Sequence, residues 1–372
     1  MRNKIIKSII CTFLAVSLLA GCNSSNDNNN TTNTGDNNES VTAEKIQVGM
    51  VTDLGSIDDR SFNQLTWEGI QRASEEFTLK CKYLKPAGST ETDLMKEITN
   101  LYDADYKFIM TPGFNFAVPI YEAQQKYPDA KFVIIDSEVY SSNNEKEVGP
   151  NTVAVLFNEH EEGFLAGVAA AVQLKEGSAG FGGGMESKVI QRFNWGYQQG
   201  IDYANKNLGT NLKMEDQNFV YQGTFTDSAA GQQIAAQMYD RGVTVIFSAA
   251  GGVGNGVIKE AKERALDGAT VWVIGVDADQ YETGIYKGDQ SVILTSAMKK
   301  VGEAAYDMIK LNQEGNFPGG ETLHYGVTNK GGGLPLENPN LSEETIKAVN
   351  EVYTKLSKGE ITVQSTGEEL IK

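Results

Sequence analysis

The chain has 372 residues, 40% of them hydrophobic, which is enough to bury a large core and favours two domains over one. Its formal charge of −17 repels phosphate backbones and anionic lipid headgroups, which argues against nucleic acid and against a polybasic membrane contact. Nothing in the composition suggests wholesale disorder.

Residues 1–21 read as a secretion signal: Arg2, Lys4 and Lys7 form a basic start, and "IICTFLAVSLLA" is the apolar segment, too short for a stable membrane span. Leu19, Ala20, Gly21 and Cys22 resemble the bacterial lipobox, in which the cysteine takes a lipid on sulfur and becomes the new N-terminus. Losing the signal removes three basic residues and no acidic one, so the charge deepens from −17 to −20. With Cys11 in the signal and Cys22 lipidated, Cys81 stands alone and no internal disulfide is expected. Residues 22–44, "CNSSNDNNNTTNTGDNNESVTAE", are almost devoid of apolar side chains and read as a tether. About twenty such residues reach on the order of 70 Å.

From Ile46 onward, apolar runs alternate with amphipathic stretches. "IQVGMV" precedes a helix near 61–77, "CKYLK" one near 91–102, and "KFIMT" one near 117–126; "KFVIID" closes the set at Asp136. A second series starts at "TVAVLF" and runs through the helix "EEGFLAGVAAAVQL", "SAGFGGG", a helix near 189–207, "NFVYQG", a helix near 228–240, "TVIFSAA", a helix near 256–266 and "VWVIGVD". Such alternation predicts parallel sheets covered by helices, in two Rossmann-like lobes. The expected division is 45–157 plus about 292–322 for the first lobe, and 158–291 plus the C-terminal segment for the second.

Ligands of open parallel sheets bind beyond the carboxyl ends of the strands. The residues there include Asp53, Asp136, Phe225, Asp227, Gly251, Asp277 and Lys299. Carboxylates with aromatic neighbours suit a polar, neutral ligand, although each acid taken singly serves equally well as a turn or a helix cap. Ser61 and Gln64 have capping-box spacing. The glycine-rich "VIFSAAGGVGNGV" imitates a dinucleotide fingerprint, but the third glycine position falls on Val257. Neither His160 nor His324 belongs to a recognisable triad, and no metal-ligand spacing is present.

"VGMVTDLGSIDDRSFNQLTWEGI" closely resembles the basic membrane protein family, also called PnrA-like, of bacterial lipoproteins that serve ABC transporters as solute-binding proteins for purine and other nucleosides. The resemblance extends over about 45–330 through "FVIID", "EEGFLAG", "GFGGGM", "GTFTD", "VIGVDADQ" and "ILTSAMKK". It implies a type I periplasmic-binding fold, two α/β lobes joined by a multi-strand hinge. Phe62 and Phe225 would sandwich the base, with Asn63 beside Phe62; Asp53 and Asp136 would address the base edge. Asp277 and Lys299 would hold the ribose hydroxyls, with Gly251 allowing close backbone approach. The expected protein is a lipid-anchored monomer on the extracytoplasmic face, delivering a nucleoside to permease subunits, with no cofactor, metal or catalytic residue. The alternatives are a ligand sensor without transport and a nucleoside-cleaving enzyme.

Overall fold

The computed structural model describes residues 46–367, 370 and 371. The signal, Cys22 and the tether lie outside the described residues. Two sheets organise the rest, each with a spatial order that starts from a short strand-helix repeat.

The first sheet receives β1 (Gln47–Val51), β2 (Lys80–Leu84), β3 (Phe108–Pro112), β4 (Lys131–Ile135) and β5 (Thr152–Phe157). Helices α1 (Phe62–Phe77), α2 (Glu91–Asp103) and α3 (Ala117–Lys126) connect the first four. The strands pair in parallel, with Gln47 opposite Lys80 and Val48 opposite Phe108. Of those flanked by neighbours, "FIMTP" is buried throughout and β1, β4 and β5 at all but one residue each, as strands covered on both faces should be. At the edge, "KCKYL" exposes its lysines, which discourages pairing with another chain.

The second sheet receives β6 (Glu176–Gly183), β7 (Asn211–Tyr221), β8 (Val245–Ala249) and β9 (Trp272–Asp277). Helices α4 (Glu159–Leu174), α5 (Lys188–Asn207), α6 (Ser228–Asp240) and α7 (Gly252–Leu266) accompany them. A small hairpin, β10 (Ile285–Lys287) with β11 (Gln290–Ser291), leads to β12 (Ile293–Lys299), which also joins this sheet. The chain continues through α8 (Val301–Gln313), β13 (Thr322–Tyr325), β14 (Gly332–Gly333) and α9 (Glu343–Ser357).

The observed orders are β13-β5-β4-β3-β1-β2 and β14-β12-β9-β8-β6-β7. Counting strands within each lobe, both contain the doubly wound order 2-1-3-4-5. The segment 292–322, expected to belong to the first lobe, is divided between the lobes. Its strand β12 pairs with β9, whereas its helix α8 packs on α1. Sequence pattern marks a strand and a helix here but carries no information on which sheet edge the strand completes. The backbone therefore passes between the lobes after Phe157, after Lys299 and between Tyr325 and Gly332.

Helix α4 is apolar on nearly every face and buried, packed against α5, α9 and β12. The glycine-rich run expected to form a turn before a helix at 256 is instead the first turn of α7. Packing explains the glycines: a Cβ on Gly256 would fall 1.9 Å from the Ser228 carbonyl oxygen at the start of α6.

Candidate functional site

The start of α1 organises the first wall. Asp59 accepts hydrogen bonds from the backbone N–H of Ser61 and Asn63 at 2.9 Å and of Gln64 at 3.2 Å, filling positions that a helix leaves without internal partners. The capping box expected at Ser61 and Gln64 is therefore not formed. Gln64 reaches back to the N–H of Arg60 instead, and the Ser61 hydroxyl donates to Asp277 Oδ2 across the cleft. A carboxylate two residues upstream does the capping, which releases the serine for the second lobe.

Asn63 braces two acids, donating to Asp53 Oδ1 and Asp59 Oδ2, each at 2.9 Å. Asp53 Oδ1 also accepts from the Gly55 N–H at 2.6 Å, so this oxygen is fully engaged by the protein. A side chain at position 55 would collide with both partners, its Cβ lying 2.4 Å from Asn63 Nδ2 and 2.9 Å from Asp53 Oδ1. Burial pushes the Asp53 carboxyl up to about 6, with Asn63 and Gly55 pulling in the other direction.

Asp136 follows β4 and Asp277 ends β9, both in the left-handed backbone region, with φ of 67° and 62°. Lys299 ends β12, and its Nζ lies 2.5 Å from Asp136 Oδ2. Asp136 Oδ1 is buried with no hydrogen-bond partner among the described residues. Burial raises the Asp136 and Asp277 carboxyls, and Lys299 opposes the shift in both. The Lys299 ammonium is pushed up despite burial, because Asp136, Glu159 and Asp277 surround it.

These residues border one cavity, which encloses about 610 Å³ of space with its mouth included. Asp53, Phe62, Asn63, Asp136, Phe225, Gly251, Asp277 and Lys299 all line it. In each lobe the cavity lies where the strand order reverses. In the first it meets Asp53 after β1 and Gly113 after β3; in the second it meets Gly251 after β8. The Phe225 ring occupies space opened by Gly184, where a Cβ would come within 2.3 Å of it. Asp227, two residues on, caps α6 by accepting from the Ala230 N–H at 2.9 Å.

Sequence reasoning missed Asp59, Ser61, Val189, Ile190 and Phe193, which also line the cavity. The last three sit in an amphipathic stretch at the start of α5, where apolar spacing reads as core packing. Four aspartates and one lysine border the cavity, together with apolar surface and phenylalanine rings. Such a wall accepts hydrogen bonds and disfavours anions. Among the described residues no group of His, Cys, Asp or Glu is arranged to hold a metal ion, and no helix is long and apolar enough to cross a membrane.

Two doubly wound lobes enclosing a cavity at their strand ends define the type I periplasmic-binding α/β fold. A solved ABC transporter solute-binding protein from Aeropyrum pernix shares this architecture, with a TM-score of 0.73 and 27% identity, covering 87% of this chain and 94% of the other. A second, from Conexibacter woesei, has a TM-score of 0.64 over 86% of this chain and 99% of its own; at 18% identity it speaks to the fold alone.

The chain belongs to the PnrA-like family of ABC transporter substrate-binding proteins, whose family model matches residues 46–366. The ABC transporter nucleoside-binding protein BmpA of Lactococcus lactis is 35% identical, covering 98% of this chain and all of that protein. Basic membrane protein A of Borreliella burgdorferi is 33% identical, covering 88% of this chain and 91% of the relative. Substrate-binding proteins of this kind deliver ligand to the permease subunits of an ABC transporter.

Proposed function

We propose that the protein is a lipid-anchored receptor on the extracytoplasmic face that binds a purine nucleoside between its lobes and passes it to a permease. The observation that carries this reading is the bordering of one cavity by Phe62 from the first lobe and Phe225 from the second, with Asp53, Asp136, Asp277 and Lys299 on the same walls. Stacking of a base on an aromatic ring contributes about 1–3 kcal/mol and tolerates any planar base. The free oxygen of Asp53 accepts from a ring N–H, and Asp136 supplies a second acceptor at the base edge. Asp277 and Lys299 address the ribose hydroxyls through charge-assisted hydrogen bonds. Gly251, with φ of 53°, brings backbone close to the ligand without a side chain in between.

The similarity to the Lactococcus nucleoside-binding protein supports the same ligand class. Attachment through Cys22 and the tether accounts for membrane association without a spanning helix. The receptor acts as a monomer without cofactor or catalytic group and returns its ligand unchanged.

Calorimetric titration of the purified protein with inosine, adenosine, free bases, sugars and amino acids tests the reading. Saturable binding of a nucleoside, recovered intact, is expected. Binding of a sugar or amino acid with no response to any nucleoside overturns the ligand assignment, and release of a free base overturns the receptor assignment.

A further inference from the structure

Lys299 is the one basic residue bordering the cavity among the described residues, and a lysine stem has four rotatable bonds with which to wander. Here it is confined. Its Nζ lies 5.3 Å, 5.1 Å and 5.6 Å from the ring centres of Phe62, Phe157 and Phe193, a cage drawn from both lobes. Asp136 meets the ammonium from the cleft side, and Glu159 Oε1 lies 3.1 Å from it on the other.

Glu159 does not border the cavity and is fully buried. Its Oε2 accepts from Arg192 Nε at 2.6 Å. Burial alone would raise this carboxyl, but Lys299 and Arg192 outweigh it and hold the group below its ordinary value. As the first residue of α4, Glu159 also sits where the helix dipole favours a negative charge.

The Arg192 contact is built into the packing of α4 against α5. A Cβ on Gly196 would fall 2.1 Å from the His160 carbonyl oxygen, and one on Gly163 would fall 2.4 Å from that of Phe193. The two helix backbones thus touch beside Glu159 and Arg192, which leaves the ion pair little freedom to shift.

We propose that Glu159, anchored by Arg192, is a positioning residue that presets the Lys299 ammonium for the hydroxyl groups of a diol-bearing ligand. The inference rests on the assignment of Lys299 to the ribose hydroxyls made above. It assigns α4, none of whose residues borders the cavity, a part in recognition. A donor fixed before binding loses less entropy when the ligand arrives.

The test compares wild type with Glu159→Gln and with Glu159→Gln/Arg192→Gln, using inosine and 2′,3′-dideoxyinosine as probes and crystallography of the ligand-free double variant. The second substitution removes the partly buried guanidinium that the first leaves unpaired, so the double variant recovers melting temperature. Inosine affinity is expected to stay about tenfold below wild type in the double variant, while dideoxyinosine affinity changes much less. Lys299 Nζ is expected to leave its wild-type place. Equal losses for both nucleosides, unchanged inosine affinity, or an Nζ that stays in place overturns the inference. Should wild type bind no inosine, the nucleoside reading falls, and the Nζ position alone decides this one.

Discussion

Asp136 and Asp277 are structural counterparts: each terminates the fourth strand of a 2-1-3-4-5 sheet, each adopts a left-handed backbone, and they face the same cavity from opposite lobes. Left-handed geometry costs an ordinary residue about 1–2 kcal/mol, and aspartate and asparagine tolerate it best. Asp277→Asn and Asp277→Ala should therefore both weaken inosine binding. Only the alanine variant should lose about 1 kcal/mol of additional stability, measured by urea unfolding. Equal stabilities for the two variants would speak against backbone strain at this position.

Ser61 and Asp59 separate closure from capping. The Ser61 hydroxyl serves Asp277 across the cleft, so Ser61→Ala should loosen ligand binding about five- to tenfold, a single lost hydrogen bond, with little change in melting temperature. Asp59→Ala removes the acceptor for three backbone N–H groups and should cost about 1–2 kcal/mol of stability. A large stability loss on Ser61→Ala would restore the capping-box assignment.

The two rings give a paired prediction. Phe62→Ala and Phe225→Ala should each reduce nucleoside affinity by roughly tens of fold. Gly184→Ala should mimic the second without touching Phe225 itself, because the added methyl occupies the space of the ring. Unchanged affinity in both phenylalanine variants removes the sandwich from the account.

Asp53 gives a pH dependence with a definite sign. Its carboxyl titrates near 6 in the folded protein against an ordinary 3.8, so the folded state binds more protons than the unfolded one between those values. The stability that Asp53 contributes is present below about pH 4 and is lost as pH rises through 6. Asp53→Asn should accordingly stabilise the protein at pH 7.5, on the order of 1–3 kcal/mol, and the gain should fade by pH 4. Nucleoside affinity should run the opposite way, falling as pH drops below 6 and the acceptor is protonated. In the variant only the decline due to Asp136 and Asp277 should remain.

Much of this was legible in the sequence because strand ends announce themselves. "QVGMV", "KFVII" and "VWVIGVD" stop at the positions where a parallel sheet opens to ligand, and the aspartates there were found by position alone. Three things were not legible. Ser61 and Gln64 satisfied the local capping pattern, but Asp59 and Asp277 compete for the same groups, and Asp277 lies 216 residues away. The apolar side chains opening α5 look the same whether they face core or cavity. Strand β12, expected in the first lobe, completes the second, because pairing with β9 depends on a hinge crossing rather than on its own residues.

The central claim is that the cleft recognises a base and a ribose together. Its most direct test is calorimetric titration of wild type with inosine, hypoxanthine and D-ribose in parallel. The account predicts saturable binding of inosine and much weaker binding of either half alone. Binding of the free base or the sugar as tight as that of inosine would contradict it.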